Sequence, residues 1–198
     1  KNKKNFFMIQ NIEIKNNKLS NIIEIEKNLN NLYNKNILLI RSRDIEIPLK
    51  EIYFIDRIKV KKKYPDTLII NIFETKPIAI IFKDKTKYII DSSSNLIPNQ
   101  DLENTDDLHN VFGDEAEKYF ISFYKRLENN NFLTNNIKNF YFFKIGRWDL
   151  ELKNDVIIKL PSIKIDAAIN KSIELLKRED FKKYKIIDLR VDGKIITE

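Results

Sequence analysis

Residues 58–79 read I-K-V-K-K-K-Y-P-D-T-L-I-I-N-I-F-E-T-K-P-I-A, and the fold turns on this stretch. Ile58 and Val60 alternate with Lys59 and Lys61, the two-residue period of a half-buried strand. Tyr64-Pro65-Asp66 turns the chain, because proline presets φ and aspartate can bond nearby backbone. On the return, Leu68, Ile70 and Ile72 fall on one face and Ile69, Asn71 and Phe73 on the other. β-Branched residues are frequent in both arms, so the pattern predicts an antiparallel hairpin. Lys76-Pro77 ends the second arm, since proline cannot donate to a central ladder. A new apolar run, Ile78 to Phe82, follows at once. The domain boundary is therefore expected near Thr75, with residues 1–75 on one side and 76–198 on the other.

Before the hairpin, Phe6 to Ile14 reads as a strand with a register break, and Lys15 to Lys18 as a polar turn. Ser20 is an expected helix N-cap, with Ile22, Ile25, Leu29, Leu32 and Tyr33 at helical spacing from Asn21 to Tyr33. Asn36 to Ile40 reads as a short extended piece. Asp44 is expected to cap a second helix through Pro48, Leu49 and Ile52, with Pro48 tolerable only in its first turn. The order is strand, helix, helix, strand, strand.

After the hairpin, Pro77 to Phe82 and Tyr88 to Asp91 form a strand pair, and Asn99 to Asn110 a polar loop. Ala116, Tyr119, Phe120, Phe123 and Leu127 line one face of a helix over 114–129. Strands are expected at Phe140 to Ile145, Trp148 to Leu152 and Val156 to Leu160. A helix carries Ile165, Ala168, Ile169, Ser172, Ile173 and Leu176. Tyr184 to Val191, the turn Asp192-Gly193, and Lys194 to Thr197 make a closing hairpin. Elements segregate rather than alternate strictly, which predicts an α+β fold with an extended, mainly antiparallel sheet.

Composition excludes several chemistries. With no Cys in the chain, there is no disulfide framework, thiol nucleophile or thiolate metal site. His109 is the single histidine, so a His-based triad or a His-rich metal site cannot be assembled. Asp106-Asp107 reads as a solvated pair, and no glycine-rich phosphate loop is present. No cofactor or metal is implied, and no constellation suggests an enzyme. The net charge of +7 is compatible with nucleic acid or anionic lipid, but abundant Lys and Asn also follow from an AT-rich coding sequence. Lys59, Lys61, Lys62 and Lys63 are either the wet face of a strand or a contact for lipid or an acidic partner. The Phe140-Tyr141-Phe142-Phe143 cluster reads as core plus one half-buried face, and Trp148 as packing with Arg147 and Asp149 facing the other way. No apolar run reaches the roughly 20 residues that span a bilayer. Because it starts at Lys1, the chain is read as an excised fragment, and the sequence does not show whether a signal or anchor segment stood upstream.

The strand–helix–helix–strand–strand order, closed by K-x-Y-P-D-T-L-x-I-x-I-x-E, resembles a POTRA domain. Glu74-Thr75-Lys76-Pro77-Ile78-Ala79 resembles the E-x-x-P-x-A junction of the FtsQ/DivIB family of bacterial cell-division proteins. Tyr88-Ile89-Ile90-Asp91 with Leu96-Ile97, Arg147 to Leu152, and Ile187-Asp188-Leu189-Arg190 are similar to further motifs of that family, in the family's order. Ser92-Ser93-Ser94-Asn95 stands where the family's turn glycine is expected, and Asn95 can supply left-handed geometry.

The last residues, Lys194 to Glu198, would form an edge strand. From the residues alone this is either a docking edge or an edge blunted by Lys194 and Glu198. The resemblance implies docking. Arg190 would pair with a partner carboxylate, Val191, Ile195 and Ile196 would make apolar contacts, and the backbone of Lys194, Ile195, Ile196, Thr197 and Glu198 would pair with an incoming strand. Val191 is small where an aromatic would bury more area. The implied partners are an FtsB/DivIC-type protein with an FtsL-type protein, and other division proteins through the POTRA domain. The implied site is the periplasmic face of the inner membrane at the septum, with a single-pass anchor outside this sequence. Competing readings are a POTRA-bearing chaperone of outer-membrane assembly or secretion, a nucleic-acid-binding protein and a cell-wall enzyme.

Overall fold

The computed structural model describes residues 6–98 and 105–198. The chain forms two compact units, Lys1–Lys76 and Pro77–Glu198.

In the first unit, β1 (Asn11–Lys15), α1 (Ile22–Leu29), α2 (Arg43–Leu49), β2 (Ile55–Lys63) and β3 (Thr67–Glu74) follow in order. The sheet order is β1-β3-β2, with β1 parallel to β3 and β2 antiparallel to it, Val60 opposite Ile70. The turn between β2 and β3 contains a cis Tyr64–Pro65 bond. Central placement makes β3 the spine of the unit. Leu68, Ile70 and Ile72 are buried against Ile25, Leu29, Ile45 and Leu49 of the helices, each burial contributing about 1.5–3 kcal/mol. Lys59, Lys61 and Lys63 point to solvent, and Lys62 donates to the Leu38 carbonyl at 3.2 Å.

Several boundaries differ from the sequence reading. The first ladder begins at Asn11, because Ile9 is pinned outside it: its N–H donates to Lys35 O and its carbonyl accepts from Asn34. Asn21, not Ser20, caps α1, accepting from Ile23 and Glu24 N–H, while the Ser20 hydroxyl donates to Glu74 instead. Residues 37–39 form a turn rather than an extended piece. Asp44 lies inside α2 and reaches back to the Arg41 N–H at 2.8 Å. Pro48 occupies the last turn of α2. A seven-residue helix has few internal bonds to lose there, and the Pro48 carbonyl accepts from Asn28 Nδ2.

The second unit contains β4 (Pro77–Lys83), β5 (Thr86–Asp91), β6 (Leu96–Pro98), β7 (His109–Phe112), α3 (Ala116–Asn129), β8 (Ile137–Phe143), β9 (Arg147–Leu152), β10 (Ile157–Lys159), α4 (Ile165–Leu176), β11 (Ile186–Asp188) and β12 (Ile196–Thr197). They form one sheet in the order β12-β11-β10-β9-β8-β7-β4-β5-β6. Five neighbour pairs are antiparallel. The β7–β8 and β10–β11 pairs are parallel because α3 and α4 are their crossovers, and β4–β7 is the third parallel pair. Both helices pack on one face of the sheet, where Phe120 and Phe140 are fully buried and Phe123 stacks on Trp148 at 4.8 Å.

Here too some residues depart from expectation. In the 91–96 turn the left-handed residue is Ser94 rather than Asn95. The turn is held by Asp91, whose carboxylate accepts from the Ser93 and Asn95 N–H groups. Of the expected 99–110 loop, residues 99–104 lie outside the described residues, and His109 and Asn110 belong to β7. Ile145 is in the turn between β8 and β9, and β12 is two residues long. Gly113, at φ 118°, backs against the Phe142 carbonyl, which any Cβ would strike.

Candidate functional site

The sheet leaves β12 at one end, so this strand has one unpaired side. Glu198 and Ile186 exchange both backbone hydrogen bonds, at 3.2 and 3.0 Å. Antiparallel alternation then makes Thr197, opposite Ile187, a non-hydrogen-bonded position whose N–H and C=O point away from β11. Thr197 is thus the available rung of this edge. Lys194 is not part of the ladder, since its N–H is used by the Val191 carbonyl within the loop between β11 and β12.

That loop forms one wall of a cleft of about 680 Å³. Arg190, Val191, Lys194 and Ile195 line it, facing Ile145 and Arg147 from the β8–β9 turn and Ile163 and Lys164 from the start of α4. Lys164 pairs with Asp192 at 2.5 Å, an exposed ion pair between the loop and the opposite wall. Val191, Ile195 and Ile196 are 40–47 % exposed, and Ile145 and Ile163 more than 70 %. The structure therefore gathers Arg190, Val191, Lys194 and Ile195 in the cleft. Ile196, Thr197 and Glu198 run along the edge and are not among its lining residues.

Two arginines of the cleft lining, Arg147 and Arg190, belong to a charged row on one sheet face. Arg190 grips Asp188 with Nε at 2.9 Å from both carboxylate oxygens, and its N–H also donates to Oδ1 at 3.0 Å. These bonds hold the Asp188 carboxyl below its ordinary value. Asp149 sits on the same sheet face, with Lys159 opposite both it and Asp188 in register. Burial pushes the Asp149 carboxyl up, against the pull of Arg147 and Arg190. Arg147 lies 3.9 Å over the Phe143 ring. With three cations and two carboxylates, the group carries a net positive charge.

Sequence reading missed the walls contributed by Ile145, Ile163 and Lys164, which stand in turns where no periodicity exists. For Arg147 there was a signal: it faces away from Trp148, and a charged residue two positions from Asp149 on one strand face marks a polar row. Elsewhere, His109 is buried, with Nδ1 2.8 Å from the Ile137 carbonyl and Phe140 against its ring, and burial lowers its pKa. Asp106 and Asp107 are exposed. No cluster of metal-ligating side chains occurs among the described residues, and none of their helices is long and apolar enough to cross a membrane.

Comparison with known proteins bears on this arrangement. Residues 7–75 match the family model for the FtsQ-type POTRA domain. Residues 79–190, more than half of the chain, match that for the C-terminal part of cell division protein FtsQ/DivIB. Cell division protein FtsQ of Rickettsia typhi is 29% identical over 189 residues, covering 93% of this chain and 70% of the relative. FtsQ of Rickettsia prowazekii is 29% identical over 192 residues, covering 93% and 69%. The major extracytoplasmic domain of the trans isomer of division protein DivIB from Geobacillus stearothermophilus overlays with a TM-score of 0.35 at 7% identity, covering 49% of this chain and 87% of that one. An overlay that slight carries no argument. The two family models in tandem do: the chain belongs to the FtsQ/DivIB family of bacterial cell-division proteins.

Proposed function

We propose that this chain is a non-enzymatic scaffold of the division machinery that docks an FtsB/FtsL-type pair along β12 and into the adjoining cleft. Residues 1–75 and 76–198 act as separate domains, the first recruiting other division proteins and the second carrying the docking site. The protein works on the extracytoplasmic face of the inner membrane at the septum, held by a single-pass anchor outside this sequence. The observation that carries the reading is the outward N–H and C=O of Thr197 beside a cleft lined by apolar residues and by Arg147 and Arg190. An incoming strand completes the edge ladder, while its neighbouring apolar side chains cover Val191, Ile195 and Ile196. Arg190, one fork of which already holds Asp188, offers its remaining N–H groups to a partner carboxylate.

The test is titration of a soluble FtsB/FtsL-type pair from the same source against the intact chain and against a version ending at Val191. Binding by the first and not by the second, with unchanged circular dichroism, supports docking at the terminal strand. Equal binding by both moves the site elsewhere. No binding by either, with folded protein, contradicts the scaffold reading.

A further inference from the structure

Asp149 is among the least comfortable groups of the second unit. It is 7 % exposed, and its Oδ1 is buried without a hydrogen-bond partner. The Arg147 Nε is buried and equally unpartnered. The two atoms lie 3.3 Å apart, close enough for an ion pair but outside hydrogen-bond geometry. Buried polar atoms are nearly always bonded, and a buried charge left partly unsatisfied is expensive. Its neighbour on the same face behaves differently, since Arg190 and Asp188 are joined by several well-formed contacts.

We infer that Asp149 is a positioning residue: it holds the Arg147 guanidinium, which lies over Phe143 and lines the cleft, with N–H groups left free to meet one carboxylate of the docked partner. This rests on the docking reading above. Three geometric facts support it. Strand pairing puts Asp149, Lys159 and Asp188 side by side, with Arg147 two residues before Asp149 and Arg190 two after Asp188, both lining the cleft. The guanidinium carbon of Arg147 lies 3.9 Å from the Phe143 ring centre, so the ring bounds the guanidinium on one side and Asp149 on another. Arg147, Lys159 and Arg190 against Asp149 and Asp188 leave the group one anion short of neutrality. A single incoming carboxylate completes it, and the ion-pair distance to Asp149 shortens or yields as that group arrives. Asp149 itself touches no partner atom.

The sign of the expected effect separates positioning from simple charge balance. Deleting a negative charge beside two arginines should tighten the binding of an acidic partner if charge alone matters. Positioning predicts the reverse. With the soluble FtsB/FtsL-type pair as probe, Asp149→Asn is expected to weaken binding about ten-fold and Arg147→Gln similarly, and the double variant no further than either single one. Wild-type or tighter binding by Asp149→Asn overturns the inference, as does full additivity in the double variant. The side-chain Nε–H resonance of Arg147, identified by its loss in Arg147→Lys, gives a readout that needs no partner. It should exchange with water at least about ten times more slowly than that of exposed Arg57, and Asp149→Asn should abolish the difference. Exchange unaffected by Asp149→Asn overturns the inference. If the wild type binds no partner the docking reading falls, while the Arg147 exchange rate still decides whether Asp149 positions that side chain.

Discussion

Two carboxylates, one in each unit, sit in opposite conditions. Glu74 ends β3 and is enclosed by the 17–20 loop: it accepts from the N–H groups of Lys18 at 3.0 Å, Leu19 at 2.9 Å and Ser20 at 2.8 Å, and from the Ser20 hydroxyl at 2.5 Å. Burial alone would raise its pKa, but these bonds together hold it below the ordinary 4.5. Asp149 is raised above its ordinary 3.8, because burial outweighs the pull of its cationic neighbours. One acid is finished by its own chain and the other is not. A carboxylate bonded all round by its own chain closes a structure, whereas one held only by an ion pair acts through the cation beside it.

The contrast can be broken most severely by moving one residue along β9. Trp148 faces the core, stacked on Phe123, while Asp149 faces the cationic row. Trp148→Ala should cost about 3–5 kcal/mol in denaturant unfolding of the second unit, whereas Asp149→Asn should leave the unfolding midpoint far less changed. Next comes Glu74→Ala, which strands the Lys18, Leu19 and Ser20 donors and should destabilise the first unit by about 2–3 kcal/mol. A midpoint unmoved by this variant would remove Glu74's structural role.

The smallest effects are in pH dependence, and their signs oppose. Glu74, depressed in the folded state, contributes stability that is present above 4.5 and lost as pH falls through its folded value. Asp149, raised, contributes stability that is full below 3.8 and lost as pH rises through its folded value. Across the acidic range, Glu74→Gln should flatten the rise of stability with pH and Asp149→Asn should steepen it. Urea midpoints between pH 3 and 6 read both slopes. Slopes of the same sign would mean that the two acids are alike after all.

Much of the fold was legible in residues 58–79 because strand periodicity and a proline-marked turn act locally. Leu68, Ile70 and Ile72 needed no tertiary information to declare a buried face, and the order of elements around them led to a POTRA domain. The failures were competitions between neighbours. Ser20 and Asn21 are both good caps, and only the distant Glu74, drawing the Ser20 hydroxyl away, decides between them. Pro48 reads as a helix start, yet tertiary contact keeps it in the last turn. In the second unit, parallel pairing of β10 with β11 across α4 is a long-range outcome that no local window contains. The same holds for the cleft. Arg190, Val191 and Lys194 to Glu198 were named through the family resemblance, but Ile145 and Ile163 are apolar residues in turns, and only folding brings them opposite Val191 and Ile195.

The most direct measurement uses Thr197→Pro. The substitution deletes an N–H that points away from β11, so it leaves the bonds of Glu198 with Ile186 intact. An unchanged melting temperature with binding of a soluble FtsB/FtsL-type pair weakened by at least about ten-fold is the result expected if an incoming strand pairs with this rung. Wild-type affinity in Thr197→Pro would show that no strand is added there and would contradict docking along the terminal edge.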